Sequence, residues 1–256
     1  MTRAYFGAAS DLPVPGDYNG DGTAEIALFR PASGLWAVRG LTRTYFGQPD
    51  DIPVSGDYSG DGMADLAIFR SASGLWAVQD TTRVYFGQSG DIPVPGDYDG
   101  DGLVDIAIFR PESGLWAVSG LGRIYFGAAG DIPVSGDYTG DGLVDVAVFR
   151  PASGLWAVKD VTRAYFGGSG DTPVPGDYDG LGVFGPAIFR PFSGLWAVRA
   201  VTRTYFGNVG YQAVPGRYAV GGLDRIGVFR PDNGLWAIRG LTRVYYGSSG
   251  DLPATR

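Results

Sequence analysis

The chain has 256 residues, a net charge of −7, and neither cysteine nor histidine. The absence of these two residue types excludes disulfides, thiol chemistry, histidine-based triads and the usual zinc sites. The negative charge argues against nucleic acid as a partner. No apolar run approaches the roughly 20 residues that a membrane helix needs, and the first residues show no signal peptide.

The sequence repeats itself with a fixed period of 40 residues. The motif GLWAV or GLWAI begins at Gly34, Gly74, Gly114, Gly154, Gly194 and Gly234. We therefore divide the chain into six units, at about residues 11–50, 51–90, 91–130, 131–170, 171–210 and 211–250. The tail DLPATR resembles the start of a seventh unit, so the chain is expected to be a fragment of a larger protein.

Each unit predicts four short strands, and the third unit shows them in chain order. The first strand is Pro93–Tyr98, and the second, after a loop rich in Asp and Gly, is Asp105–Arg110. The turn Pro111–Gly114 leads to the third strand, Leu115–Val118, and Gly122–Gly127 forms the fourth. Four strands in about 40 residues is the size of a propeller blade. We predict an all-β protein, a single six-bladed β-propeller domain with four antiparallel strands per blade.

The fourth strand occurs once more often than the others. Its copies run from residues 2–7 to residues 242–247, so one terminal copy is surplus once the ring is closed. The sequence leaves open which of the two completes the ring. The surplus copy would fray, pack outside or pair with a second molecule as an unpaired edge, and otherwise a monomer is expected.

The loop between the first and second strands has the pattern of a calcium site. Oxygen-bearing side chains stand at loop positions 1, 3, 5 and 9, a backbone carbonyl is available at position 7, and glycines at positions 4 and 6 allow the loop to curl. Four units keep the full pattern, which predicts about four Ca²⁺ ions, one for each of these loops. The predicted ligands are Asp17, Asn19, Asp21, Thr23 and Glu25; Asp57, Ser59, Asp61, Met63 and Asp65; Asp97, Asp99, Asp101, Leu103 and Asp105; and Asp137, Thr139, Asp141, Leu143 and Asp145.

The last two loops lack this pattern. The fifth has Leu181 and Gly185 where acids are required, and the sixth has Arg217 and Arg225 at its first and last ligand positions. We predict no calcium there. The alternative for the intact loops is that their aspartates only cap turns.

The stretch YFG, followed by GDYDGDGLVDIAIFRP, resembles the FG-GAP and VCBS type of repeat. Such repeats occur in the heads of integrin α-chains and in large bacterial surface proteins. The resemblance implies a propeller whose calcium loops match the residues above position by position. It also implies a place outside the cell or on the surface of a bacterium.

Three functions remain to be compared. A calcium-binding scaffold would present one face of the ring to a protein or glycan partner, and a calcium-dependent lectin is the alternative. An enzyme is not expected, because near-identical repeats provide no unique pair of carboxylates. Whether the repeats are a natural amplification or an engineered propeller stays open.

The lectin hypothesis rests on an arginine and a tryptophan that recur in each unit. In it, each arginine would hydrogen-bond a sugar hydroxyl and each tryptophan would stack on a sugar face. The alternatives are that the tryptophans fill the space between blades and that each arginine stacks on its tryptophan. The candidate residues are Arg30, Trp36, Arg70, Trp76, Arg110, Trp116, Arg150 and Trp156.

Overall fold

The computed structural model describes residues 2–241, and for residues 2–5 the backbone alone. It contains 24 short strands arranged as six antiparallel four-stranded sheets, which are the blades of a β-propeller. The predicted fold class is therefore confirmed. The described residues include no helix that could cross a membrane.

Blades 1 to 5 each use four consecutive strands, from the innermost to the outermost. Blade 1 is β2 (Leu12–Pro13), β3 (Ala27–Arg30), β4 (Leu35–Val38) and β5 (Thr42–Tyr45). Blade 2 is β6 (Ile52–Pro53), β7 (Ala67–Arg70), β8 (Leu75–Val78) and β9 (Thr82–Tyr85). Blade 3 is β10 (Ile92–Pro93), β11 (Ala107–Arg110), β12 (Leu115–Val118) and β13 (Gly122–Tyr125). Blade 4 is β14 (Ile132–Pro133), β15 (Ala147–Arg150), β16 (Leu155–Val158) and β17 (Thr162–Tyr165). Blade 5 is β18 (Thr172–Pro173), β19 (Ala187–Arg190), β20 (Leu195–Val198) and β21 (Thr202–Tyr205).

Blade 6 is built from both ends of the described chain. Its inner strands are β22 (Gln212–Ala213), β23 (Gly227–Arg230) and β24 (Leu235–Ile238), and its outer strand is β1 (Thr2–Tyr5). β1 pairs with β24, and the Phe6 carbonyl accepts a hydrogen bond of 3.0 Å from Trp236 Nε1. The N-terminal copy of the fourth strand therefore completes the ring. The second copy, residues 242–247, lies outside the described residues.

The innermost strands are shorter than the sequence predicts. In blade 3 the regular strand is Ile92–Pro93 rather than Pro93–Tyr98, and pairing resumes only as an isolated bridge between Gly96 and Asp105. Pro93 and Pro95 have no N–H to donate to a ladder of hydrogen bonds. Such a strand is tolerated at a sheet edge, which is its position beside the central channel.

The core lies between neighbouring blades. Trp116 is buried and belongs to a cluster with Phe109 of its own blade and with Val148 and Ala157 of the next blade. Blade 6 is joined to blade 1 in the same manner, through Trp236 and Ile26. The tryptophans thus fill the space between blades, as one of the two interpretations of the sequence predicted.

Candidate metal centre

The candidate calcium loops connect the first and second strands of each blade, and both ends of every loop are fixed. In blade 3 the loop is closed at its base by the bridge between Gly96 and Asp105. Gly100 and Gly102 have φ angles of +82° and +85°, a backbone conformation that side chains disfavour. The chain therefore folds back tightly over a few residues and brings its acids together.

The aspartate that begins each of the first five loops stabilises the turn itself. Asp97 Oδ1 accepts a hydrogen bond of 2.6 Å from the Gly100 N–H, and Oδ2 accepts one of 3.0 Å from the Gly102 N–H. Asp177 of the altered fifth loop makes the same two contacts, at 2.7 and 2.9 Å. This aspartate has a structural role in a loop without the full ligand set, so it alone does not indicate a metal.

The convergence of three carboxylates in the third loop is the feature that points to a cation. Ligand oxygens of Asp97, Asp99 and Asp105 all lie within 4.8 Å of one another. Oxygens that share a Ca²⁺ ion lie about 2.3–2.6 Å from it, and hence at most about 5 Å apart. The spacing of these three carboxylates fits one calcium ion, whereas Asp101, the fourth predicted acid of this loop, lies outside the cluster. Within the described residues, the predicted acids of the other three intact loops do not converge to this extent.

The charges in this cluster are unfavourable without a cation. Burial raises the pKa of Asp105, and the nearby carboxylates of Asp99, Asp101 and Asp97 raise it further. One Asp105 oxygen, Oδ2, accepts a hydrogen bond of 2.9 Å from the Tyr98 N–H, which partly opposes this effect. A divalent ion would favour the ionised form of all these groups.

In the other three loops a neutral side chain occupies position 3, as the sequence predicts. Asn19 donates hydrogen bonds to Asp21 Oδ2 at 3.1 Å and to Glu25 Oε1 at 2.9 Å. Position 3 in these loops thus contacts the acids that are the predicted ligands. The contacts in the second and fourth loops are longer, 3.4 Å from Ser59 Oγ to Asp65 Oδ1 and 3.4 Å from Thr139 Oγ1 to Asp137 Oδ1.

The predicted backbone ligand at position 7 lies beside position 5 in all four loops. Its N–H donates to the aspartate there, at distances of 2.8–2.9 Å. The four donor–acceptor pairs are Thr23 and Asp21, Met63 and Asp61, Leu103 and Asp101, and Leu143 and Asp141.

A tyrosine that is at least partly buried anchors the base of every loop. The Tyr98 hydroxyl donates a hydrogen bond of 2.8 Å to the carbonyl of Val94, and burial raises the pKa of its counterpart Tyr18 to about 12. The loops are also joined around the ring, because the Val104 N–H donates to the carbonyl of Asp57 at 2.7 Å. Each loop thus rests against the next one.

The arginines singled out in the sequence do not stack on the tryptophans. Arg110 Nε lies 2.7 Å from Asp91 Oδ1, and Nη2 lies 2.9 Å from Asp91 Oδ2, which is a bidentate ion pair. The Asp91 side chain is fully buried. Arg30, Arg70, Arg150 and Arg190 pair in the same way with Asp11, Asp51, Asp131 and Asp171.

These ion pairs correct the proposed stacking of arginine on tryptophan, and sequence reasoning missed them. The cation–π contacts in the described part of the chain join Arg190 to Phe192 and Arg230 to Tyr211. Trp36, Trp76, Trp116 and Trp156 are at most 1% exposed, so they offer no face to a sugar. The preference for arginine over lysine, of which Lys159 is the single example, was the available signal.

Blade 6 departs from this arrangement. Tyr211 replaces the buried aspartate, and the Arg230 guanidinium lies 5.8 Å from the centre of the tyrosine ring. Its ion-pair partner is Asp232, an exposed residue 3.5 Å away. The pairs lie at the end of the second strand, whereas the candidate calcium loops lie at its beginning. The two features therefore occupy opposite faces of the ring.

Comparison with known proteins supports the fold alone. No family model and no curated protein matches the chain. One similar solved structure is an Agrocybe aegerita lectin that recognises non-reducing terminal N-acetylglucosamine, with a TM-score of 0.56 and 14% identity. The match covers 90% of this chain and 79% of the lectin. Another is BBS1N in complex with ARL6DN, with a TM-score of 0.56, 11% identity, and 94% and 96% coverage.

Proposed function

We propose that the protein is a calcium-stabilised β-propeller that acts as a binding scaffold, with no catalytic activity. The observation that carries the proposal is the cluster of Asp97, Asp99 and Asp105. Four loops would each bind one Ca²⁺ through the residues given above, and the ions would offset the loop charges. The resemblance of the repeats to the FG-GAP and VCBS type also supports this proposal, although no family model matches the chain.

A scaffold of this kind would present a face of the ring to its partner. Two solved structures with this fold each bind a partner, N-acetylglucosamine for the lectin and ARL6DN for BBS1N. A place outside the cell or on its surface is part of the proposal, because the FG-GAP and VCBS resemblance of the repeats implies it.

Calcium titration of chelator-treated protein should give about four sites and a higher melting temperature. Each site should add about 2.7 kcal/mol to the free energy of unfolding at a calcium concentration 100 times its Kd. Isothermal titration calorimetry and thermal unfolding measure the two effects. The absence of both would leave the aspartates as turn caps and overturn the proposal.

A matched pair of variants sharpens this test. Asp105→Asn should remove or weaken one calcium site. It should lower the melting temperature only when calcium is bound. Without calcium it should be at least as stable as the parent, because burial and neighbouring acids disfavour the ionised Asp105. Asp179→Asn, in the altered fifth loop, is the control and should leave the number of sites unchanged. An equal fall in melting temperature with and without calcium would indicate that Asp105 has a purely structural role.

Glycan binding is the second candidate, and an exposed tyrosine in each of blades 1 to 5 favours it. Tyr45, Tyr85, Tyr125, Tyr165 and Tyr205 are each 74% exposed at the end of an outer strand. In blade 3, Arg110 pairs with Leu115, and Leu115 pairs with Tyr125, so the three side chains lie on one face of the sheet. An exposed ring near a guanidinium held by Asp91 suits a sugar face and its hydroxyls.

If the protein is a lectin, a column of immobilised N-acetylglucosamine should retain it and free sugar should elute it. Replacement of the five tyrosines by serine should abolish retention, whereas Asp179→Asn, on the opposite face, should not change it. A parent protein that passes through the column would leave the scaffold without this activity, and a five-site variant that is still retained would show that the sugar binds away from these tyrosines.

A further inference from the structure

A groove between blades 5 and 6 differs in charge from its counterparts in the ring. It opens on the face that carries the candidate calcium loops, and Tyr178 and Thr202 of blade 5 line one side. Asp224, Arg225 and Arg239 of blade 6 line the other side. The groove between blades 1 and 2 has the same construction, with Tyr18 and Thr42 on one side and Asp65 and Gln79 on the other. The groove between blades 1 and 2 therefore serves as the reference for the substitutions in the groove between blades 5 and 6.

The changes turn an acidic groove into a basic one. Arg225 stands where the reference groove has Asp65, and Arg239 stands where it has Gln79. The reference groove is lined by three carboxylates and no basic side chain. The groove between blades 5 and 6 has two guanidinium groups and one carboxylate, which gives it a net charge of +1 when all three are ionised.

Arg225 carries an unsatisfied donor inside this groove. Its Nε is buried and has no hydrogen-bond partner within the described part of the chain. The backbone of Arg225 is held by two hydrogen bonds to Gly216, of 2.8 and 3.3 Å, so the residue is anchored in its strand bridge. A buried N–H of a charged group without an acceptor carries a desolvation cost, so binding of an anion by this guanidinium is opposed by no existing hydrogen bond at Nε.

The neighbouring acid does not provide that acceptor. Asp224 Oδ2 accepts a hydrogen bond of 2.8 Å from the Asp177 N–H across the blade boundary. Within residues 2–241, no ion pair joins Arg225 or Arg239 to an acid. Both guanidinium groups thus line the groove with their charge uncompensated by an ion pair in this part of the chain.

We propose that this groove binds a small monocarboxylate. A carboxylate presents two oxygens in a plane, which is the arrangement that a guanidinium recognises best. A single negative charge matches the net charge of the lining, whereas a phosphate dianion would exceed it and face Asp224. The side chains of Val201, Leu223 and Ile226 give the groove an apolar part, which suits a short hydrocarbon attached to the carboxylate.

Butyrate is the probe, with butyramide as its neutral counterpart and inorganic phosphate as the competing anion. Titration of the ¹⁵N-labelled full chain should shift the Arg225 Nε–Hε signal with butyrate and leave it unmoved by butyramide. Binding should persist after chelation, since no intact calcium loop lines this groove. Loss of calcium binding and loss of butyrate binding are therefore separate results.

Arg225→Gln should weaken butyrate binding by at least about tenfold, the effect of one charge-assisted hydrogen bond. Arg39→Gln is the matched control, because Arg39 holds the position of Arg239 in a groove that contains Glu25, and it should have no effect. If Arg225→Gln does not fold, Arg239→Gln replaces it. Equal binding of butyrate and butyramide, tighter binding of phosphate, or binding unchanged in the Arg225 or Arg239 variant would overturn the proposal.

Discussion

Arg110→Ala is expected to lower the free energy of unfolding by about 3 kcal/mol, the lower end of the cost of removing one partner of a buried ion pair, because the Arg110 side chain is 26% exposed. The variant would leave the Asp91 carboxylate with no countercharge although its side chain is fully buried. The Gln88 N–H, which donates to Asp91 Oδ2 at 2.9 Å, would remain its hydrogen-bond partner. Denaturant unfolding at neutral pH measures the loss.

The sixth blade supplies the control for this prediction. Arg230 occupies the same position in its blade, but Tyr211 replaces the buried aspartate and Asp232 is exposed. Arg230→Ala should therefore change the free energy of unfolding by no more than about 1 kcal/mol. Equal losses in the two variants would show that the arginines stabilise the blades through packing of their aliphatic stems rather than by neutralising a buried charge.

Trp116→Ala is expected to cost about 3–5 kcal/mol, through the cavity that it leaves between blades 3 and 4. The indole is 1% exposed, and its ring centre lies 5.0 Å from that of Phe109. Its Nε1 donates a hydrogen bond of 3.0 Å to the Phe126 carbonyl, which would lose its partner. Thermal and denaturant unfolding of the variant provide the measurement.

Two further variants separate the contributions of the tryptophan. Trp116→Phe retains part of the side-chain volume and loses the hydrogen bond. Its free energy of unfolding should therefore lie between that of the parent protein and that of Trp116→Ala. Tyr125→Ala removes a ring that is 74% exposed and should have little effect. A Trp116→Ala variant as stable as Tyr125→Ala would mean that the seam between the blades closes over the missing ring.

The sequence allowed the blade architecture to be predicted because the period is visible in single residues. The six glycines that begin the GLWA motif mark one turn per blade, and the third strand of blade 3, Leu115–Val118, has the predicted bounds. The first strand was predicted too long. The predicted strand ran through Pro93 and Pro95. Neither proline has an N–H to donate to the neighbouring strand, so the regular ladder of hydrogen bonds ends at Pro93.

The candidate metal loop was also predictable in part, since its ligands lie within nine residues of one another. Local spacing predicted that Asp97, Asp99, Asp101 and Asp105 would converge, and the structure brings Asp97, Asp99 and Asp105 together. The pair of Asp91 and Arg110 was not expected, although its members are only 19 residues apart. Asp91 stands where turn residues are common, so its sequence position predicts an exposed side chain. Its burial depends on how neighbouring strands pack over it, and the sequence of one repeat does not show that packing.

Ring closure was undetermined for a different reason. The segments TRAYFG, residues 2–7, and TRVYYG, residues 242–247, carry the same strand pattern. A pattern that is duplicated cannot indicate which copy pairs with β24. The structure assigns this role to β1 through its register with Leu235–Ile238.

That closure affects how the protein is made on the ribosome. Blades 1 to 5 each consist of adjacent strands, so each can form as soon as its own segment has emerged. β1 emerges before blades 1 to 5 but pairs with a strand that ends at Ile238, and its neighbour Phe6 accepts a hydrogen bond from a residue 230 positions later. The nascent chain therefore carries an unpaired strand edge until translation has passed Ile238, and it is open to association with other chains during that interval.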